Sequence, residues 1–400
     1  MPERRFHDHN QRNPHRLPPT RNAAGPVRSN LSEGAHPMNK TVLSMTLSAT
    51  LLAGSLCAHA DHRPEGIPHL DHVFVIMMEN HAYAQIIGNT NAPFINQYAQ
   101  SANLATNYFG IGHPSLTNYL ETVGGSNFGI ENDNYPNWHG TLTDPNRNYP
   151  LSGTGTDAAT PATIAPFNTE IPAAPYVAKT IADQLVEHGL SWKTYQESLP
   201  ASGEIDRVDY SDGSFSNLSA VDQTQVQKLY AVKHNPFVYF ANVQEGSDPR
   251  ISLNNVAGFS GLNGLYADLR SGRVANFSFI APNQCHDMHG AGGGSLLCTA
   301  DATVVQMGDE AVKEIVTAIK GSKTWKQGRN AIVVTWDEND FGSEPNQVVT
   351  IVDTSYGVNG VTSNQPYSHF SLLKTLEAGF ELPCLNHACD VNVNLMADMF

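Results

Sequence analysis

Carboxylates and amides gather at three places in this 400-residue chain, each directly after an apolar run. Glu79-Asn80-His81 follows Val73-Phe74-Val75-Ile76-Met77-Met78, and Asp337-Glu338-Asn339-Asp340 follows Ala331-Ile332-Val333-Val334-Thr335-Trp336. Asn283, His286, Asp287 and His289 follow Phe277-Ser278-Phe279-Ile280. Short, continuous apolar runs predict strands buried on both faces of a parallel sheet, and ligands of such sheets lie beyond the carboxyl ends of the strands. If these strands are parallel neighbours, Glu79, Asn80, Asp337 and Glu338 converge. Three carboxylates packed together raise one another's pKa unless a cation neutralises them, and a divalent metal held by oxygen atoms is the simplest solution. For Asp337-Glu338 alone a solvated loop is the plainer reading; the recurrence at several strand ends favours the metal.

A nucleophile is available. Gly112-His113-Pro114-Ser115-Leu116-Thr117-Asn118-Tyr119 sets a serine at a predicted helix N-terminus, where backbone N–H groups favour an anion and lower the energy of a developing alkoxide. Asn118, at i+3, faces the same side. An ordinary N-cap is the alternative use of Ser115.

These residues need a frame. Strands are predicted at 71–78, 236–240, 276–280, 330–336 and 347–352, an extended stretch at 105–109, and helices at 92–101, 115–123 and 368–378. Val177, Ile181 and Leu185 mark one further helix, and Val304, Gly308, Val312, Ile315 and Ile319 another. Alternating strands and helices predict an α/β fold with a central, largely parallel sheet and helices on both faces. Pro, Thr, Gly and Asn dominate 132–175, which reads as a long loop insertion, either covering the site or poorly ordered.

Composition narrows the function. Lys and Arg number 23 against 38 Asp and Glu, a net charge of −15, which argues against nucleic acid as a partner and favours small substrates. Met-Asn-Lys-Thr at 38–41, an apolar run at 42–56 and Ala58-His59-Ala60 read as a signal peptide cut after Ala60, leaving a periplasmic or secreted product without a stable membrane anchor. Residues 1–37 read as a disordered or misannotated upstream extension, and 61–400 as a single domain. Of the cysteines, Cys285, Cys298, Cys384 and Cys389 follow that cut; an even count in an exported chain favours disulfides, with 285–298 and 384–389 as local staples and a zinc site as the alternative.

Together, Met77-Met78-Glu79-Asn80-His81, His113-Pro114-Ser115-Leu116-Thr117-Asn118-Tyr119, Pro282-Asn283-Gln284-Cys285-His286-Asp287-Met288-His289, Thr335-Trp336-Asp337-Glu338-Asn339-Asp340 and Tyr367-Ser368-His369-Phe370-Ser371-Leu372-Leu373 closely resemble the bacterial phosphoesterase family. That family holds secreted acid phosphatases, phosphoinositide phosphatases and phospholipases C within the alkaline phosphatase-like superfamily. The resemblance runs from about His72 to about Phe380. It implies one divalent metal (Ca²⁺, Mg²⁺ or Zn²⁺) on Glu79, Asn80, Ser115, Asp337 and Glu338, with Ser115 as nucleophile. Asn118 would hold a phosphate oxygen and His289 would stand near the leaving group, with Asp287 beside it. His113 and His369 match recurring histidines, whereas His286 is not diagnostic. Thr117 stands where members often have Pro. The expected reaction is phosphomonoester hydrolysis, on a small ester or a phosphoinositide, through a phosphoserine. His289, as imidazolium, would protonate the leaving alcohol and give an acidic pH optimum. A phospholipase C type diesterase and a non-catalytic metal-binding protein are the alternatives. No Cys-x-Pro-x-Arg, Gly-x-Ser-x-Gly, His-Glu-x-x-His or P-loop pattern is found.

Overall fold

The run His72–Met78 forms strand β1, and Val73 to Met78 are all without exposure. Burying one such side chain contributes about 1.5–3 kcal/mol, which is why so unbroken an apolar run sits at the centre of a sheet. The computed structural model describes residues 66–128, 133, 178–199, 229–290, 298, 300–340, 342 and 345–400, together with two short strand pairs, Thr156–Asp157 with Phe167–Asn168 and Asn217–Leu218 with Val226–Gln227. The signal-peptide reading, the 1–37 extension, Val177 and most of 132–175 lie outside the described residues.

Eight more strands join the sheet: β2 Asn103–Phe109, β3 Trp192–Gln196, β4 Val256–Ala257, β5 Phe277–Ala281, β6 Asn330–Trp336, β7 Gln347–Thr354, β8 Thr362–Ser363 and β9 Tyr367–Ser368. Their order is β8-β2-β7-β6-β1-β5-β3-β4, with β9 also on β2. Only β7 runs against its neighbours; every other pairing is parallel. The carboxyl ends of β1, β2, β3, β5 and β6 therefore share one edge. The predicted α/β class and largely parallel sheet are observed.

The principal helices are α1 Pro93–Ser101, α2 Ser115–Gly124, α3 Ile181–Glu187, α4 Asp301–Gly321 and α5 His369–Gly379. They fall into two groups, α1 against α4 and α2 against α3 and α5. In α4 the residues Val304, Gly308, Val312, Ile315 and Ile319 are buried as one stripe, as the periodicity predicts. Thr180 caps α3: its hydroxyl accepts from Ala182 N at 3.2 Å, and Asp183 accepts from Thr180 N at 2.8 Å. Among the described residues no helix is long and apolar enough to cross a membrane. Disulfides join Cys285 to Cys298 and Cys384 to Cys389, the predicted pairing, so these cysteines hold no zinc.

One element is corrected. The stretch 236–240, predicted as a strand, is a 3₁₀ turn, Pro236–Tyr239, that follows another at Val232–His234. Pro236 has a fixed φ and no N–H to give a ladder, so the apolar run packs as helical turns, all buried.

Candidate active site

Met78 pairs with Trp336 in the β1–β6 register, so Glu79 and Asp337 leave the sheet side by side, with Asp337 N donating to Met78 O at 3.0 Å. Asn80 then takes a left-handed conformation (φ 49°), which asparagine tolerates better than most residues, and its N–H reaches Asp337 Oδ1 at 3.2 Å. From β2 the chain passes so close to Asp337 that a Cβ on Gly110 would lie 2.6 Å from its carbonyl oxygen. This close passage delivers the start of α2 to the same corner. Pro114, not Ser115, is the N-cap. Ser115 is the first helical residue, and its hydroxyl points to Glu79 Oε2 at 3.1 Å and Glu338 Oε1 at 3.4 Å.

Asn118 locks the loop before the helix. Its Oδ1 accepts from Ile111 N at 2.8 Å and Gly112 N at 3.1 Å, while Nδ2 donates to Gly112 O at 2.9 Å and Glu338 Oε2 at 3.0 Å. His113 Nδ1 lies 2.9 Å from the same Glu338 oxygen. His369 stands one layer behind: buried, it faces the Asp337 carbonyl through Nε2 at 2.6 Å and the Tyr108 hydroxyl through Nδ1 at 3.1 Å. His286 pairs with Glu197 at 2.8 Å instead of joining the cluster.

Three residues complete the site that no sequence motif had marked: Asp133, Lys233 and His234. His234 Nε2 lies 2.9 Å from Glu79 Oε1 and its Nδ1 3.1 Å from Asp287 Oδ2, with the ring stacked on Tyr119 at 5.2 Å. Asp287 also accepts from His289 N at 2.8 Å, and Glu79 N donates to Asp287 O at 2.8 Å, which ties the third polar block to the first. Lys233 Nζ reaches Ser115 Oγ at 3.4 Å, Asp133 Oδ2 at 2.9 Å and His289 Nε2 at 3.1 Å. The signal was present in the sequence: a lysine, a histidine and an asparagine stand between the apolar residues 229–232 and 236–240, and buried charges are rare unless paired.

Burial and charge set the protonation states. Burial would raise Glu79, but the His234 imidazolium against it and nearby Lys233 hold it below the usual carboxylate range. Burial also opposes charge on His234, yet Glu79 and Asp287 push it up to about 9. Asp337 stands well above the usual range because of burial and the charges of Glu79 and Glu338. Glu338 is raised to about 7 by burial, against the pull of His113. His289 is lowered, by burial first and then by Lys233, so the charged His289 expected on the acid side of neutrality is disfavoured. Its Nδ1 lies 2.8 Å from Gly290 O, which leaves Nε2 as the acceptor facing Lys233.

Two donor sets could hold a cation. Among the described residues, Glu79, His234 and His289 offer ligand atoms within 4.8 Å of one another. The second set is the oxygens of Glu79, Asn80, Ser115, Asp337 and Glu338. Asn80 Oδ1 and Asp337 Oδ2 are buried without a hydrogen-bond partner, and two of the carboxylates are raised by burial and by neighbouring carboxylates. Orphaned acceptors and mutually repelling carboxylates are what a hard cation relieves, so the residues fit the group.

The family model described as the Phosphoesterase family matches residues 89–383. The chain belongs to the phosphoesterase family. It is accordingly a hydrolase of phosphoric ester bonds. A phosphatidylinositol-3-phosphatase of Mycobacterium tuberculosis is 26% identical over 362 residues, covering 88% of this chain and 93% of the relative. A phosphate-repressible acid phosphatase of Penicillium chrysogenum is 26% identical over 305 residues, covering 76% of this chain but only 57% of the relative. Among solved structures, an alkaline phosphatase superfamily protein from Vibrio parahaemolyticus gives a TM-score of 0.46 at 12% identity, over 82% of this chain and 72% of that one. In this phosphoesterase Glu79, His113, Ser115, Asn118 and Glu338 form one hydrogen-bonded group, Asp287 and His289 join it through His234 and Lys233, and His369 supports it from behind through the Asp337 backbone.

Proposed function

We propose that the protein is an exported, metal-dependent phosphomonoesterase that works through a phosphoserine. The observation that carries this reading is the Ser115 hydroxyl, 1% exposed at the residue level, set at a helix N-terminus between the carboxylates of Glu79 and Glu338. Glu79, Asn80, Ser115, Asp337 and Glu338 would hold one divalent cation, and their oxygen atoms suit Ca²⁺ or Mg²⁺. When bound, it supplies positive charge that eases ionisation of the hydroxyl and stabilises the phosphoryl oxygens. The alternative nitrogen-containing set is favoured by its compact geometry, but His234 between two carboxylates holds its proton, and a protonated imidazole is no ligand.

The chain's own groups account for the remaining steps. Ser115 Oγ, its proton directed to the neighbouring carboxylates, attacks phosphorus; the Oγ–P bond forms, the ester P–O bond breaks, and the leaving alcohol takes a proton from the Lys233–His289 side. In the second half His289 Nε2 takes a proton from water, the water oxygen bonds to phosphorus, and Ser115 leaves with its proton restored. Asn118, with both amide groups committed to the loop and Glu338, fixes the nucleophile's approach, and His369 fixes Asp337. His113 holds Glu338. The two disulfides accord with export to an oxidising compartment.

A small monoester or an exposed phosphoinositide headgroup is the substrate class this reading supports. Purified protein assayed on p-nitrophenyl phosphate and on p-nitrophenyl phosphorylcholine, with its metal content measured, should turn over the monoester and carry one divalent ion per chain. Faster diester turnover would make it a phospholipase C type enzyme, and turnover of neither would leave a binding protein.

A further inference from the structure

Asp133 holds an unusual position beside the nucleophile. Its Oδ1 accepts from the N–H of Leu116, the residue after Ser115, at 3.1 Å, and its Oδ2 accepts from Lys233 Nζ at 2.9 Å. Lys233 is buried and lies 3.4 Å from Ser115 Oγ. A phosphoryl group under attack by Ser115 must lie against that Oγ. Its non-bridging oxygens then come within reach of the next N–H at the positive end of α2 and of the lysine cation. These are the two donors that Asp133 already occupies, with the two oxygens of one carboxylate.

We infer that Asp133 is an internal competitor of the phosphoryl group: its carboxylate fills the anion corner formed by Leu116 N and Lys233 Nζ, and substrate binds by displacing it. The inference rests on the phosphatase reading above and adds to it a residue that sets substrate affinity. Displacement exchanges one carboxylate for the incoming anion, so every ligand of this corner is bound more weakly by the same factor, the fraction of protein in which Asp133 is out of the way. A monoester dianion, with two charges against the carboxylate's one, is the ligand best able to make the exchange. Asp133 thus sets how tightly the site holds phosphoryl groups. A purely structural role, in which Asp133 only holds Lys233 in place, predicts the opposite response to its removal.

The test measures inorganic phosphate binding by calorimetry on the purified wild type, Asp133→Asn, Asp133→Ala and Lys233→Met, alongside kcat/KM for a monoester and a diester. Both Asp133 variants should bind phosphate about tenfold more tightly, equivalent to about 1.4 kcal/mol. Their kcat/KM for monoester and diester should rise together, because the cost of displacing Asp133 is common to both, and Lys233→Met should weaken phosphate binding at least tenfold. Phosphate affinity that is unchanged or weaker in both Asp133 variants overturns the inference, as does a Lys233→Met protein that binds phosphate as the wild type does. The phosphatase reading is judged separately: tighter phosphate binding with no turnover by the wild type defeats that reading alone, and normal wild-type turnover with no gain in the Asp133 variants defeats only the inference.

Discussion

Buried carboxylates occur both at the sheet edge and in the core beneath α5, and the two places handle them differently. At the edge Glu79, Asp287, Asp337 and Glu338 are all buried, yet Lys233, His234 and His113 stand within contact of the group. In α5, Glu377 is equally buried beside Gln184 and Leu385, and among the described residues it makes no ion pair. Lys374, one turn away, gives its ammonium to the carbonyls of Asp390 and Val393 at 3.0 and 2.9 Å. Burial therefore raises Glu377 well above the usual range, as it also raises Asp337 at the edge, whereas the cation against Glu79 keeps that one carboxylate charged. The contrast shows that charge survives burial only where several chain segments can bring cations to it, which the loops at strand ends can do and one packed helix cannot.

The comparison can be broken most severely at its charged end. Ser115→Ala should lower monoester turnover by at least ~10³-fold, as expected for loss of a nucleophile, with an unchanged circular dichroism spectrum. Substantial residual turnover would remove Ser115 from the chemistry. Next in size, Glu338→Gln should cost about 100-fold or more in activity and lower the bound divalent metal together with it, read by elemental analysis. A full metal complement in that variant, with loss of metal in His234→Asn instead, would favour the nitrogen-containing donor set.

The smallest effect lies at the neutral end. A carboxyl group whose folded pKa is raised adds stability below its unfolded value, and that stability is lost as pH rises toward the folded value. Wild-type Tm should therefore fall between pH 5 and pH 8 in part because of Glu377. Glu377→Gln should shrink that fall by a degree or more, since ~1 kcal/mol moves Tm by roughly 1–2 °C in a chain of this size. An identical Tm profile in the variant would show that Glu377 does not titrate with folding.

Much of the frame could be read in advance because its signals are local. The runs that became β1, β5, β6 and β7 are continuous in sequence, α4 announces itself by spacing, and both disulfides join cysteines close along the chain. The 236–240 stretch is harder: its apolar residues carry no period that separates a buried strand from a buried 3₁₀ turn, and Pro236 tips it toward the latter. Lys233 and His234 lie just before that stretch, in a turn that no predicted element or motif covers.

Residue order alone settles that acids and amides follow particular strands and that a serine opens a helix, since both are matters of adjacency. Which cations stand against which carboxylates, that Asp133 covers the donors beside Ser115, and that His289 lies under the influence of Lys233 are settled only when separate segments meet at one edge of the sheet. Coulombic and hydrogen-bond energies depend on distance through space and on burial, and neither can be counted along the chain.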